Sequence, residues 1–306
     1  MKRLKKTFTV IISLLLVLYL GLVVVAFLPQ ETIPVSTLAG PQDKFVTVDG
    51  HTIHYLQQGS GKPLILVHGF AGSTYTWRKL IPLLADHYTV YALDLLGFGL
   101  SDKPSDGRYD LQSQGSLAIN FMNVLNIPSA ALAGHSMGGV IIGYAALMAP
   151  ARVDSLIFIS AGFYGQGAPS FLKYLFFPLD RIMARQFYSK SVRAKSLANS
   201  FYNKSLVTDE LIDAYLLPTR TPNAINALAT MMHSVGTRTY DDIADKITRP
   251  SLIIWGDNDV TNLTRYAERL KGDIKGSQLV YIRECGHYVQ EEKPHDLAGA
   301  IKDFCK

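Results

Sequence analysis

With 306 residues, 48% of them apolar and only 18% charged, the chain can fill a sizeable core, which excludes an intrinsically disordered protein. Its net charge of +5 is concentrated at the N-terminus: without Lys2, Arg3, Lys5 and Lys6, the 30 basic residues fall to 26 against 25 acidic ones. So balanced a remainder gives no electrostatic footprint for nucleic acid.

Residues 8–28 run from Phe8 to Leu28 without a charge, long enough as a helix to span about 30 Å, the hydrocarbon thickness of a bilayer. The pattern predicts a transmembrane anchor. The basic tail (residues 1–7) precedes it, and only Glu31 is charged between its end and Asp43, so the positive-inside asymmetry leaves the N-terminus cytoplasmic and the rest outside. The alternative is a signal peptide cut after Ala26; its usual apolar region of roughly 7–15 residues is shorter than this one. Either way the remainder is exported.

Residues 29–43 turn to Pro, Thr, Ser, Gly and Gln and read as a linker. "KFVTVDG" and "TIHYLQQG" then alternate apolar and polar residues around Asp49-Gly50, predicting a hairpin at a sheet edge. Thereafter apolar runs alternate with helical patterns: "PLILVHG", a helix around Trp77 to Ala85, "YTVYALDLLG", a helix around Gln114 to Leu125, "SAALAGHS", a helix from Met137 to Met148, and "VDSLIFIS". Repeated β-α-β units predict a mostly parallel sheet with helices on both faces.

That alternation breaks over residues 161–245, which carry helix starts such as "VTDELIDAY" and "TPNAINAL" and no convincing strand, so they read as an inserted helical lid. The lid holds Phe163, Tyr164, Phe171, Tyr174, Phe176 and Phe177, followed by Arg181, Arg185, Lys190, Arg193 and Lys195. One face packed on the core and the other solvated is the ordinary expectation; an acyl pocket beside a basic face for lipid headgroups is the functional one. The alternation resumes with "SLIIWGDND", a helix through Leu270, "SQLVYIRECGH" and a helix from Pro294 to Phe304. The core thus comprises residues 44–160 and 246–306.

Gly134 to Gly138 form a Gly-x-Ser-x-Gly pattern that about one 300-residue chain in ten contains by chance, so context must carry it. Here it joins a small apolar strand to a helix, where flanking glycines let Ser136 be held with its hydroxyl projecting above the sheet. A serine hydroxyl needs a general base, and the base needs a third group to fix its tautomer. His287 in "CGHYVQ" and Asp257 or Asp259 in "IIWGDND" each follow a predicted strand, at the carboxyl ends where doubly wound sheets gather catalytic groups.

From about residue 44 onward the chain resembles the α/β-hydrolases, whose order of nucleophile, acid and histidine it shares. The resemblance places the nucleophile at Ser136, the acid at Asp259, with Asp257 as the alternative, and the base at His287. Some members carry the acid one strand earlier, but that strand ends here in Ser160. It implies an oxyanion hole of backbone N–H groups at Met137 and, from "HGF", at Phe70. It also implies a serine hydrolase acting on carboxylic esters, of hydrophobic or lipid-like acids, without a cofactor. C–C bond hydrolases, cofactor-free perhydrolases and an inactive tethered binding protein are the alternatives; Ser136 argues against the aspartate nucleophile of dehalogenases and epoxide hydrolases. His68 and Asp94 are expected to order loops, and His135 to shape the turn. The remaining histidines lack metal-ligand spacing, "GFGLSD" is no phosphate-binding fingerprint, and Cys285 and Cys305 leave open a disulfide or two free thiols.

Overall fold

The computed structural model describes residues 2–164, 177–235 and 240–305. Phe171, Tyr174 and Phe176 of the lid lie outside these. A helix over Lys2–Ala26 contains a stretch from Lys6 to Ala26 with mean hydropathy 2.9, long and apolar enough to cross a membrane by length and composition. It ends against the lid. The ring of Phe27 lies 5.5 Å from that of Phe177, Arg181 sits over Phe27 at 4.8 Å, and Arg185 donates to the carbonyl of Leu28.

Eight strands form one sheet: β1 (Asp43–Val48), β2 (His51–Gln58), β3 (Lys62–Val67), β4 (Tyr88–Leu93), β5 (Ala130–His135), β6 (Val153–Ile159), β7 (Ser251–Gly256) and β8 (Gln278–Ile282). Their spatial order is β1-β2-β4-β3-β5-β6-β7-β8. The β1–β2 and β2–β4 pairs are antiparallel and the rest are parallel. Asp49 and Gly50 both take positive φ, 51° and 83°, as a two-residue turn matched to strand twist requires.

Alternate residues of the buried strands feed opposite faces, the period of two inherent in a strand. Ile65 and Val67, with Leu156 and Phe158, join the core under the helices Leu111–Val124 and Met137–Met148. Leu64 and Leu66, with Ile157 and Ile159, join the one that receives the helix Pro294–Phe304. Helices therefore cover both faces, as expected from runs such as "LILV".

The helix expected around Trp77 to Ala85 forms instead a 3-10 turn at Thr74–Trp77 and a single helical turn at Ile81–Leu84. Pro82 explains the break, because it has no N–H to give to the carbonyl four residues back. Between β6 and β7 the described residues hold helices Leu179–Phe187, Lys190–Ser200, Asp209–Leu216 and Ala224–Val235 and no strand. Thr208 caps the third, its hydroxyl accepting from the N–H of Leu211. Leu197, Phe201, Leu211, Ile212, Tyr215 and Leu216 make a separate apolar cluster inside the lid.

The strand order reverses at β3, which has β4 on one side and β5 on the other. Such a switch point opens a crevice at the carboxyl ends of the strands. The loops after β3 and β5 flank it.

Candidate active site

The turn after β5 holds Ser136 at φ 53° and ψ −116°, a conformation unfavourable for a residue with a side chain. Crossing backbones impose it. A Cβ on Gly134 would collide with the carbonyl of Gly138, and one on Gly138 with the carbonyl of Val67 on the neighbouring strand. Hydrogen bonds fix the turn from β6: the N–H of Ser136 donates to Ile159 at 2.9 Å, and the carbonyl of Ser136 accepts from Gly162 at 3.0 Å.

Asp259 and His287 meet beside this turn. Nδ1 of His287 lies 2.8 Å from Oδ2 of Asp259, and both residues are buried. A carboxylate accepts here, so the imidazole proton sits on Nδ1 and Nε2 keeps its lone pair. Oδ1 of Asp259 accepts the N–H groups of Thr261 and Asn262 at 2.8 and 2.9 Å, which locks the carboxylate plane. The loop itself is anchored by Trp255, whose indole donates to the Asn262 carbonyl, and by the Asn262 side chain on the Ser160 carbonyl. Asp257, the alternative acid, is exposed and binds the Asn258 side chain and the Cys285 N–H instead.

His287 is held from two further directions. Its N–H donates to the Ser200 carbonyl at the end of a lid helix, and its carbonyl lies 3.0 Å from Nε2 of His135. Burial pushes the basicity of His135 well below the usual histidine range. The neutral ring therefore carries its proton on Nε2 and donates it to that carbonyl. Ser136 and His287 line one cavity of about 140 Å³, together with Phe70, Phe187 and Arg193. Among the described residues no hydrogen bond joins Ser136 Oγ to Nε2 of His287; in free enzymes such bonds are often long or poorly aligned and tighten on substrate binding.

Met137 opens its helix, so its N–H is among the first-turn donors without an intrahelical acceptor. The N–H of Phe70, in the loop after β3, has no backbone acceptor among the described residues. His68 orders this loop: its Nε2 accepts the Leu95 N–H at 3.1 Å, which leaves Nδ1 to donate to the Gly69 carbonyl at 2.8 Å. Burial lowers its basicity, consistent with a neutral ring. Asp94 likewise pins a loop, taking the N–H groups of Thr74 and Leu100 and the Nδ1 side of His54. Cys285 and Cys305 are free thiols.

The profile of the alpha/beta hydrolase fold matches residues 62–294, three quarters of the sequence. The chain belongs to the alpha/beta hydrolase family. It is 33% identical over 264 residues to the uncharacterized hydrolase YugF of Bacillus subtilis, covering 85% of this chain and 96% of that protein. Among solved structures it is similar to a meta-cleavage product hydrolase of Pseudomonas fluorescens IP01, at 26% identity and TM-score 0.73, over 86% of this chain and 97% of the other. It is also similar to a membrane phospholipase A, at 25% identity and TM-score 0.74, over 100% of this chain and 98% of that one.

In this alpha/beta hydrolase, sequence reasoning named the residues that sit at strand ends and missed those that reach the cavity from elsewhere. Arg193 reads in the sequence as one of five cations on a solvated lid face; the structure buries it against the cavity. Its only sequence signal is its place four residues before Leu197, on the buried face of the same helix.

Proposed function

We propose that this alpha/beta hydrolase cleaves carboxylic esters through an acyl-enzyme, with Ser136 as nucleophile, His287 as general base and Asp259 as the acid that orients it. The observation that carries this reading is the 2.8 Å bond from Asp259 to Nδ1 of His287, which leaves Nε2 free beside the strained Ser136 turn. Nε2 takes the hydroxyl proton as Oγ attacks the ester carbonyl, and the oxyanion meets the N–H groups of Phe70 and Met137. His287 returns the proton to the departing alkoxide. Water, activated by the same imidazole, then hydrolyses the acyl-serine and releases the acid. The Lys6–Ala26 helix serves as a membrane anchor with the N-terminus cytoplasmic, which favours hydrophobic or lipid-like esters by proximity.

A C–C bond hydrolase is the second reading, favoured by the likeness to the meta-cleavage product hydrolase. Turnover of p-nitrophenyl esters of graded chain length by the full-length protein in detergent tests the first. Ester hydrolysis absent from Ser136→Ala and His287→Ala supports it. Folded protein inert to every ester but active on a vinylogous 1,5-diketone favours the second.

A further inference from the structure

Arg193 is a buried cation that pairs with no anion among the described residues. Its side chain lines the cavity that holds Ser136 and His287, yet the residue is only 2% exposed. One donor is used, from Nη2 to the Ala71 carbonyl at 2.6 Å, while Nε is buried with no hydrogen-bond partner. The guanidinium carbon stands 5.2 Å from the centre of the Tyr215 ring. Among the described residues no carboxylate forms an ion pair with it.

The two buried carboxylates near the cavity are committed elsewhere. Glu291 takes both terminal nitrogens of Arg78, Nζ of Lys79 and the hydroxyl of Tyr215. Asp259 is shared between His287 and two backbone N–H groups. A guanidinium cannot shed its proton, and an unpaired charge out of water is unfavourable. An arrangement of this kind is stable when a ligand brings the missing anion.

We propose that Arg193 is the subsite for an anionic oxygen group, a carboxylate or a phosphate, carried by the substrate. The proposal rests on the ester-hydrolase reading and narrows it to esters bearing a negative charge near the scissile bond. Spacing follows from the loop: Arg193 is bonded to Ala71, the residue after Phe70, whose N–H faces the developing oxyanion in the proposed mechanism. The anion therefore sits within a few bonds of the reacting carbonyl. The fork of Nε and Nη matches either a carboxylate or a phosphate.

Two matched pairs test this with full-length protein in detergent. Mono-p-nitrophenyl glutarate against p-nitrophenyl butyrate places a carboxylate on the acyl side; 1-butyrylglycerol 3-phosphate against 1-butyrylglycerol places a phosphate on the alcohol side. The anionic member of one pair is expected to be preferred in kcat/KM by about tenfold or more, the scale of a charge-assisted hydrogen bond. Which pair responds identifies the group. Arg193→Gln is expected to bring that ratio close to one through KM, and Arg193→Lys to keep part of it, since an ammonium retains the charge but not the fork.

Ratios near one in both pairs for the unaltered protein, or a ratio the same in Arg193→Gln, overturn the subsite. Thermal shifts with glutarate and with glycerol 3-phosphate read the same contact without turnover; a shift present in the unaltered protein and lost in Arg193→Gln supports it. Covalent labelling of Ser136 by a fluorophosphonate separates the two levels. A labelled enzyme without anion preference loses only the subsite, whereas unlabelled protein that still binds glutarate through Arg193 loses only the ester-hydrolase reading.

Discussion

The backbone N–H of His287 donates to the carbonyl of Ser200 at 2.8 Å, tying the loop of the candidate base to the last turn of a lid helix. Gly286 makes this approach possible, because a Cβ there would meet the Ser200 carbonyl and the Tyr202 backbone nitrogen. Gly286→Ala is expected to displace the imidazole and lower kcat by roughly 100-fold, the cost of a misplacement of about 1 Å. Gly272→Ala is the matched control: nothing lies within 4 Å of its added methyl, and it sits near the end of the helix Thr264–Asp273. That variant is expected to keep full activity and gain up to about 1 kcal/mol in stability. Ester kinetics and urea unfolding on both variants check the pair.

The two aspartates after β7 have separate fates. Asp259→Asn removes the acceptor that fixes the His287 tautomer, and kcat is expected to fall by roughly 10⁴-fold with the fold intact. Asp257→Asn alters only an exposed turn, and activity is expected to stay near that of the parent. Equal losses in the two would contradict the assignment of the acid.

Glu291, fully buried, pairs with Arg78 and Lys79 and accepts from Tyr215. Glu291→Ala removes the acceptor of the buried Tyr215 hydroxyl and the partner of two part-exposed cations, and is expected to destabilise the protein by about 1–3 kcal/mol, read from the denaturant midpoint. The variant tests the pairing that leaves Arg193 alone.

His54 carries a pH dependence of stability. Burial by itself lowers its basicity, but the carboxylates of Asp94 and Asp43, at 2.6 and 2.7 Å, outweigh burial and raise its pKa above 6.5. A raised folded-state pKa means that the stabilisation is complete below 6.5 and is lost as pH climbs through the folded value. Asp94 runs the other way: burial opposes its ionisation, His54 and further partners override that, and its pKa falls below the usual carboxylate value, so its contribution disappears only in strong acid. Thermal melting is expected to fall as pH rises from 6.5 through the folded-state value in the parent and to lose that slope in His54→Gln.

Much of the fold was legible because its signals are local. Asp49-Gly50 marks a turn that needs two positive φ angles, and the helix after Ser136 spans the predicted Met137–Met148. Ser136, Asp259 and His287 each follow an apolar run, so strand ends located them before any contact was known. Pro82 is the local signal that limits the helix after Trp77 to a single turn, Ile81–Leu84. Arg193 could not be read: five lid cations look alike until packing buries one of them, and burial depends on residues such as Ala71, more than a hundred positions away. Asp257 and Asp259 follow the same strand and are alike to periodicity; the family resemblance favours Asp259, and it is Asp259 that the structure sets against His287.

The central claim is that Ser136 is an activated nucleophile. The most direct measurement is mass spectrometry of the full-length protein after exposure to a fluorophosphonate, with peptide mapping of the adduct. One adduct on Ser136, absent from Ser136→Ala and formed far more slowly in His287→Ala, is the predicted result. Folded protein that takes up no label, or that labels equally well without Ser136, would contradict the account.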